Sequence, residues 1–262
     1  MTTAPPVAVH YEVVAGPAGS PTVVLANSLG STLAMWDPQV GGLAEYFTVV
    51  RYDTRGHGRS PVPPGPYTID DLADDLFALV DRLDIGRVHL VGLSLGGMTA
   101  LRFAARHPER VGRLAVLCTS AQLGPASAWL ERAAIVREHG SVAVAAAVVA
   151  RWYTEPFRGS QYERVAAAEA MIAATPAEGY AGCCEAIAAM DLRGDLARIT
   201  APTLAIAGAE DPATPPVHLD AIADGVPNGH LLVVDGAAHL ANDERPAEVT
   251  SALIEHLTGG SS

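Results

Sequence analysis

The sequence contains no lysine; all 17 of its basic residues are arginines. That removes three chemistries at once: a P-loop lysine on a phosphate, a Schiff-base lysine and a lysine general base. Cysteine is nearly absent, with Cys118, Cys183 and Cys184 the only three. An odd number containing an adjacent pair is a poor disulfide framework, and no CxxC or Cys/His spacing suggests zinc. Positive charge is scarce. The 29 acidic residues leave a formal net charge of −12, a surface that repels nucleic acid and anionic membranes, so neither is expected as a partner. No long apolar run exists. The longest, Val142 to Ala150, is about half the ~20 residues needed to span a bilayer. The opening Met1-Thr-Thr-Ala-Pro-Pro6 has neither a basic n-region nor an apolar h-region, so no signal peptide is read there. The expectation is a reduced, cytoplasmic protein.

What is present is an ordinary globular balance, 49% hydrophobic and 18% charged over 262 residues, enough for one main domain with an insertion. Short β-rich runs alternate with helical patterns. Strands are predicted at Val7–Val14, Thr22–Ala26, Phe47–Tyr52, Val88–Gly92, Leu114–Cys118, Thr203–Ala207 and Leu231–Val234. Continuous apolar runs such as Thr22-Val-Val-Leu-Ala26 suit strands buried on both faces. Thr68–Leu83 carries Leu72, Leu76, Leu79 and Leu83 at helical spacing, with Thr68 and Asp71 as a capping box. Residues 96–107 and 246–257 read the same way. This is the βαβ alternation of a mostly parallel sheet with helices on both faces, an α/β fold. Residues 121–195 break the rhythm: they contain no convincing strand and read as Ala-rich helices, Ala128–His139, Val142–Tyr153 and Arg164–Ala174 among them. The expected organisation is a core of residues 1–120 and 196–258, an all-helical cap of 121–195 over the C-terminal edge of the sheet, and a flexible tail of 259–262. That edge is where open α/β sheets bind ligands.

Gly92-Leu-Ser94-Leu-Gly96 follows an apolar strand and precedes a helix. A serine there sits on a tight turn that side chains flanking it would obstruct, and the next helix aims its N-terminal N–H groups at the site. The plainer reading is a glycine-rich turn with an incidental serine. A serine nucleophile needs a base. His239, after the last strand, falls at the same sheet edge. His57 competes but reads as structural, and His89 reads as a satisfied core residue inside a strand. His10, His107, His139, His218, His230 and His256 read as surface. The histidine needs an acid; Asp211 ends the sixth strand, with Glu210 and Asp235 as alternatives and helix capping as its plainer role. The order Ser94, Asp211, His239 is the α/β-hydrolase order. Two backbone N–H groups should form an oxyanion hole: that of Leu95 and, from the loop Asn27-Ser28-Leu29-Gly30, that of Leu29.

The chain resembles the α/β-hydrolase superfamily over nearly its whole length, and within it the 3-oxoadipate enol-lactonases. The resemblance is carried by Asn27-Ser-Leu-Gly30, Met35-Trp-Asp37, Arg51-Tyr-Asp-Thr-Arg-Gly-His-Gly58, Gly92 to Met98, Arg151-Trp-Tyr-Thr154, Glu178 to Ile187, Met190-Asp-Leu-Arg193 and Gly236-Ala-Ala-His-Leu240. The nucleophile and histidine motifs are superfamily-wide; the cap motifs narrow the reading. Many superfamily members have His-Gly where Asn27-Ser28 stands here. Some relatives are fused to a decarboxylase for the preceding step, and the Gly/Ser end could mark such a junction. The resemblance implies a serine hydrolase that opens a small anionic enol-lactone to 3-oxoadipate in aromatic catabolism, with no metal or organic cofactor. An anionic substrate needs local positive charge in a protein of net negative charge. Among the cap arginines 132, 137, 151, 158 and 164, Arg132 is the first choice because Trp129 lies one helical turn away. Trp129, Trp152, Asn27 and Ser28 are taken as further substrate contacts, with plain core packing as the alternative for the tryptophans. The runners-up are a general carboxylesterase, a C–C bond hydrolase or a perhydrolase on the same fold; a non-catalytic binding protein has no need of all three triad candidates. Oligomeric state is left open, a homo-oligomer included.

Overall fold

Among the described residues seven strands form one sheet in the order β1-β3-β2-β4-β5-β6-β7. The computed structural model describes residues 5–260. In chain order the elements are β1 (Tyr11–Val14), β2 (Thr22–Ala26), α1 (Asp37–Ala44), β3 (Thr48–Tyr52), α2 (Ile69–Arg82), β4 (Val88–Leu93), α3 (Leu95–Arg106) and β5 (Val111–Leu117). Then come α4 (Ala126–His139), α5 (Val142–Trp152), α6 (Glu155–Ser160), α7 (Tyr162–Ala173) and α8 (Ala177–Ala189). The chain ends with β6 (Thr203–Gly208), α9 (Pro216–Gly225), β7 (Gly229–Val234), α10 (Ala241–Glu244) and α11 (Pro246–Thr258). β1 is antiparallel to β3; every other pairing is parallel.

Right-handed crossovers decide the layers. The step from β2 through α1 to β3 runs one way across the sheet. The steps β3-α2-β4, β4-α3-β5 and β6-α9-β7 run the other way. α1 therefore lies on the face opposite α2, α3 and α9, and α11 packs against α1 and β5 on that same face. Sandwiched between them, β2, β4 and β5 are almost wholly buried. The chain reverses its direction of travel at β2 and β4, which pair directly, Ala26 beside Gly92. That switch point opens a crevice at the C-terminal ends of the strands. The predicted capping box holds: the Asp71 N–H donates to Thr68 Oγ1 at 3.1 Å and the Thr68 N–H to Asp71 Oδ2 at 2.8 Å.

Four expectations shift. The first strand begins at Tyr11 rather than Val7, because the Val7 N–H donates to Asp75 Oδ1 at 2.7 Å and the His10 N–H to Ser60 Oγ at 2.8 Å. Those groups go to side chains, not to a ladder. In the expected flexible tail, Gly259 takes a left-handed conformation that caps α11, and the Gly260 N–H donates to the Glu255 carbonyl at 3.0 Å. Residues 261 and 262 lie outside the described residues, as do Met1 to Ala4 of the region read for a signal peptide. Four histidines expected at the surface are half-buried. His107 sits between Phe77 and Phe103, His218 Nδ1 lies 2.8 Å from Ser120 Oγ, His256 Nε2 bonds the Leu114 carbonyl at 2.9 Å, and His10 Nε2 is enclosed. His89, expected to be satisfied, leaves Nδ1 without a partner; burial and the nearby Arg113 and Arg87 push its pKa down to about 4.

A buried ion pair braces the loop after β3. Arg55 reaches Asp75 on α2 through Nε at 2.5 Å and Nη2 at 2.7 Å, and neither residue is more than a few per cent exposed. Removing one partner strands the other charge in the interior, which costs about 3–5 kcal/mol. Asp75→Ala should therefore lower the unfolding free energy in urea by roughly that amount. A loss under about 1 kcal/mol would mean that water replaces the pair.

Candidate active site

Ser94 sits between β4 and α3 with φ 56° and ψ −116°, a left-handed conformation that side-chain-bearing residues rarely adopt. The flanking glycines permit it. A Cβ on Gly92 would be built onto the Gly96 carbonyl, and one on Gly96 onto the Ala26 carbonyl. The turn is held by the Ser94 N–H donating to the Leu117 carbonyl at 2.9 Å and by Thr119 Oγ1 donating to the Ser94 carbonyl at 2.7 Å. Its hydroxyl is left at the N-terminus of α3, where the helix dipole favours negative charge.

His239 and Asp211 meet on the loops after β7 and β6. His239 Nδ1 lies 2.8 Å from Asp211 Oδ2. A carboxylate can only accept, so Nδ1 carries the proton and Nε2 is left as an acceptor. Asp211 also accepts from Thr214 Oγ1 at 2.7 Å, from the Ala213 N–H at 2.8 Å and from the Thr214 N–H at 3.1 Å. Burial raises its pKa, but His239 and the Thr214 donors outweigh burial and leave it at about 2. The plainer turn-capping role is thus filled by Oδ1, while Oδ2 holds the imidazole. The alternatives Glu210 and Asp235 are exposed and lack this contact. Ser94 and His239 line one cavity. The Ser94 hydroxyl has no hydrogen-bond partner among the described residues, a looseness common before substrate tightens such a site.

The loop after β2 singles out Leu29. The Ser28 N–H is spent on Met35 Sδ at 3.2 Å and the Gly30 N–H on His57 Nε2 at 3.0 Å. The N–H groups of Leu29 and Leu95 have no acceptor among the described residues, and Leu29 borders the cavity. His57 cannot serve as base: Nδ1 donates to the Arg55 carbonyl at 3.1 Å, Nε2 accepts from Gly30, and burial lowers its pKa. Asn27 corrects an expectation. It does not line the cavity; it is fully buried and its amide donates to the Tyr52 carbonyl at 2.6 Å, tying the loop to β3. Ser28 does line it.

The cavity is about 300 Å³, at the lower end for small-molecule sites. Its far wall comes from the helices inserted between β5 and β6: Trp129 and Arg132 from α4, Arg151 and Trp152 from α5, and Tyr180 from α8. The Arg132 guanidinium lies over the Trp129 ring, 4.5 Å from its centre. Among the described residues neither Arg132 nor Arg151 has a carboxylate partner, whereas Arg137 pairs with Glu178 and Glu185, and Arg164 with Asp243. Burial and the neighbouring Arg132 lower the Arg151 pKa. The Tyr180 hydroxyl is buried with no partner in hydrogen-bonding geometry among the described residues; burial raises its pKa, and the adjacent Arg132 guanidinium opposes that rise. Two adjacent cations and a spare donor in a recess can receive an anion. Sequence reasoning left Tyr180 out of the substrate contacts and passed over Thr214. Thr214 was findable three residues past Asp211, the spacing of a side chain that bonds back to a turn.

The model for the α/β hydrolase fold matches residues 21–246. The chain belongs to that family and is an α/β hydrolase. It is 40% identical to 3-oxoadipate enol-lactonase 2 of Acinetobacter baylyi, over 96% of this chain and 93% of that protein. Among solved structures it is similar to the enol-lactonase from Burkholderia xenovorans, with TM-score 0.93, 40% identity and coverage of 95% and 96%. It is also similar to a thermophilic esterase from Thermogutta terrifontis solved with malate bound, with TM-score 0.91, 29% identity and coverage of 97% and 94%. No helix among the described residues is long and apolar enough to cross a membrane.

Proposed function

We propose that the protein is a 3-oxoadipate enol-lactonase, a serine hydrolase acting on a small lactone that carries one carboxylate. The observation that supports this most is the single cavity holding Ser94 and His239 on one side and the unpaired Arg132 and Arg151 on the other. The relatives that bear the enol-lactonase name, and the esterase neighbour that binds a small dicarboxylate, point the same way.

In this reading Ser94 Oγ attacks the ring carbonyl while His239 Nε2 takes its proton. The N–H groups of Leu29 and Leu95 receive the oxyanion. The ring C–O bond breaks and the imidazolium returns the proton to the leaving enol oxygen, a far better leaving group than an alkoxide. His239 then activates water, which attacks the acyl-enzyme and releases 3-oxoadipate after the enol tautomerises. The machinery on this side suits any ester. Selection of an anion falls to the cap, where Arg132 stacked on Trp129 holds the carboxylate, with Arg151 and the Tyr180 hydroxyl beside it.

The test follows loss of the enol-lactone ultraviolet absorbance, beside p-nitrophenyl acetate and a meta-cleavage product. Fast turnover of the ester alone would replace the lactonase with a general carboxylesterase. Losing one partner of a desolvated charge pair costs about 2–5 kcal/mol. Arg132→Met should therefore lower kcat/KM for the lactone roughly 30-fold or more. The neutral ester, with no carboxylate to hold, should change little; equal losses on both substrates would make Arg132 a structural residue of the cap.

A further inference from the structure

Base and cap wall are tied together by more than packing. The Leu240 N–H donates to the Trp152 carbonyl at 2.9 Å. Glu244, at the end of α10, is buried, and its carboxylate accepts at both ends. Oε2 takes the Ala238 N–H at 2.5 Å; Oε1 takes the Thr154 N–H at 2.9 Å and the Thr154 hydroxyl at 2.8 Å. Ala238 immediately precedes His239. Thr154 lies two residues past Trp152 and caps α6. One side chain therefore spans from the loop that carries the base to the cap segment that forms the cavity wall.

The chemistry of the side chain is informative. Glu244 has no arginine partner among the described residues, so its burial is offset by neutral donors alone, a costly choice for a mere packing residue. Neutral Gln would not serve. With backbone N–H groups facing both ends, an amide must turn its own NH₂ toward one of them. Only a carboxylate satisfies both.

We propose that Glu244 is a positioning residue that sets the His239 loop in register with the cap wall, so that proton transfer at Ser94 and seating of the acyl chain stay aligned. This rests on the assignment of Ser94 and His239 above. Loss of the brace acts through both neighbours. A shifted base slows the chemical step on every substrate. A shifted Trp152 weakens hold on the lactone. The cap itself stays docked, because Tyr153 donates to Asp243 at 2.8 Å, Arg164 pairs with Asp243, and Leu240 remains bonded to Trp152.

The experiment compares kcat and KM for the enol-lactone and for p-nitrophenyl acetate in Glu244→Gln, Thr154→Val, Thr154→Ser and the Glu244→Gln/Thr154→Val double variant, each well below its thermal midpoint. Misplacing a reacting group by about 1 Å costs up to 10²-fold. Glu244→Gln should lower kcat roughly 10- to 100-fold on both substrates and raise KM for the lactone alone. Thr154→Ser, which keeps the hydroxyl, should match wild type, and Thr154→Val should fall between. The double variant should be no worse than Glu244→Gln, since both remove one bridge. Wild-type kcat in Glu244→Gln, or additive losses in the double variant, would overturn the proposal. Should Glu244→Gln fail to fold, equal kcat for Thr154→Val and Thr154→Ser would overturn it. The neutral ester keeps this separate from the lactonase reading: if only the ester is turned over, its kcat still reports on Glu244.

Discussion

Ser94→Ala is expected to abolish turnover of both the enol-lactone and the neutral ester while leaving the protein folded. The expected fall in kcat is roughly 10⁴–10⁶, with residual activity from the remaining oxyanion donors and from binding. Two features make this variant a clean probe. The Ser94 hydroxyl makes no hydrogen bond to a described residue, so its removal orphans nothing. The turn is secured by the Ser94 N–H donating to the Leu117 carbonyl and by the Thr119 hydroxyl donating to the Ser94 carbonyl, both of which alanine keeps. The left-handed backbone at Ser94 is equally strained with alanine, so the thermal midpoint should stay close to wild type. Retention of a tenth of wild-type kcat would remove Ser94 from the nucleophile's role.

Asp211→Asn should cost about 10⁴ in kcat. The asparagine amide would turn its NH₂ to His239 Nδ1 and stabilise the tautomer protonated on Nε2, which cannot take the Ser94 proton. Glu210→Gln and Asp235→Asn should stay within twofold, because both side chains are exposed and away from the imidazole. The reverse pattern would reassign the acid. Acidity supplies a second check. The Asp211 pKa falls from 3.8 to about 2 in the folded protein. A carboxylate with a depressed pKa contributes stability above its unfolded pKa and loses it as pH falls through the folded one. Wild type should therefore lose this contribution between pH 3.8 and about 2, whereas Asp211→Asn should show a flatter acid limb in urea unfolding.

Much of this molecule is local and therefore visible in one dimension. Continuous apolar runs and period-3.6 patterns reflect which faces of each element are buried, so six of the seven strands fall within three residues of where the sequence puts them, β5 starting at Val111 and β7 at Gly229, and the capped helix after Thr68 falls where the residues say. Ser94 is legible because its turn demands glycines at fixed offsets. Asp211 and His239 are legible because each follows a strand that must end at the same sheet edge. What depends on side chains from separate elements was not readable. Asn27 and Ser28 are neighbours in sequence, yet one points to β3 and the other to the cavity; the strand beside them decides which. His57 reads as structural in the sequence, and the fold supplies the reason: the Gly30 N–H and the Arg55 carbonyl hold both of its nitrogens. Arg132 is singled out in the sequence by Trp129 one turn away, but Arg151 joins it only once folding pairs Arg137 and Arg164 with acids, leaves Arg158 off the cavity wall and puts these two in the cavity with Ser94. Glu244 gave no signal at all, because its partners lie 6 and 90 residues away. The sequence determines the order of elements and the tight turns, since those follow from nearest-neighbour sterics and burial; the tertiary structure alone decides which polar groups are satisfied and which remain free to meet a substrate.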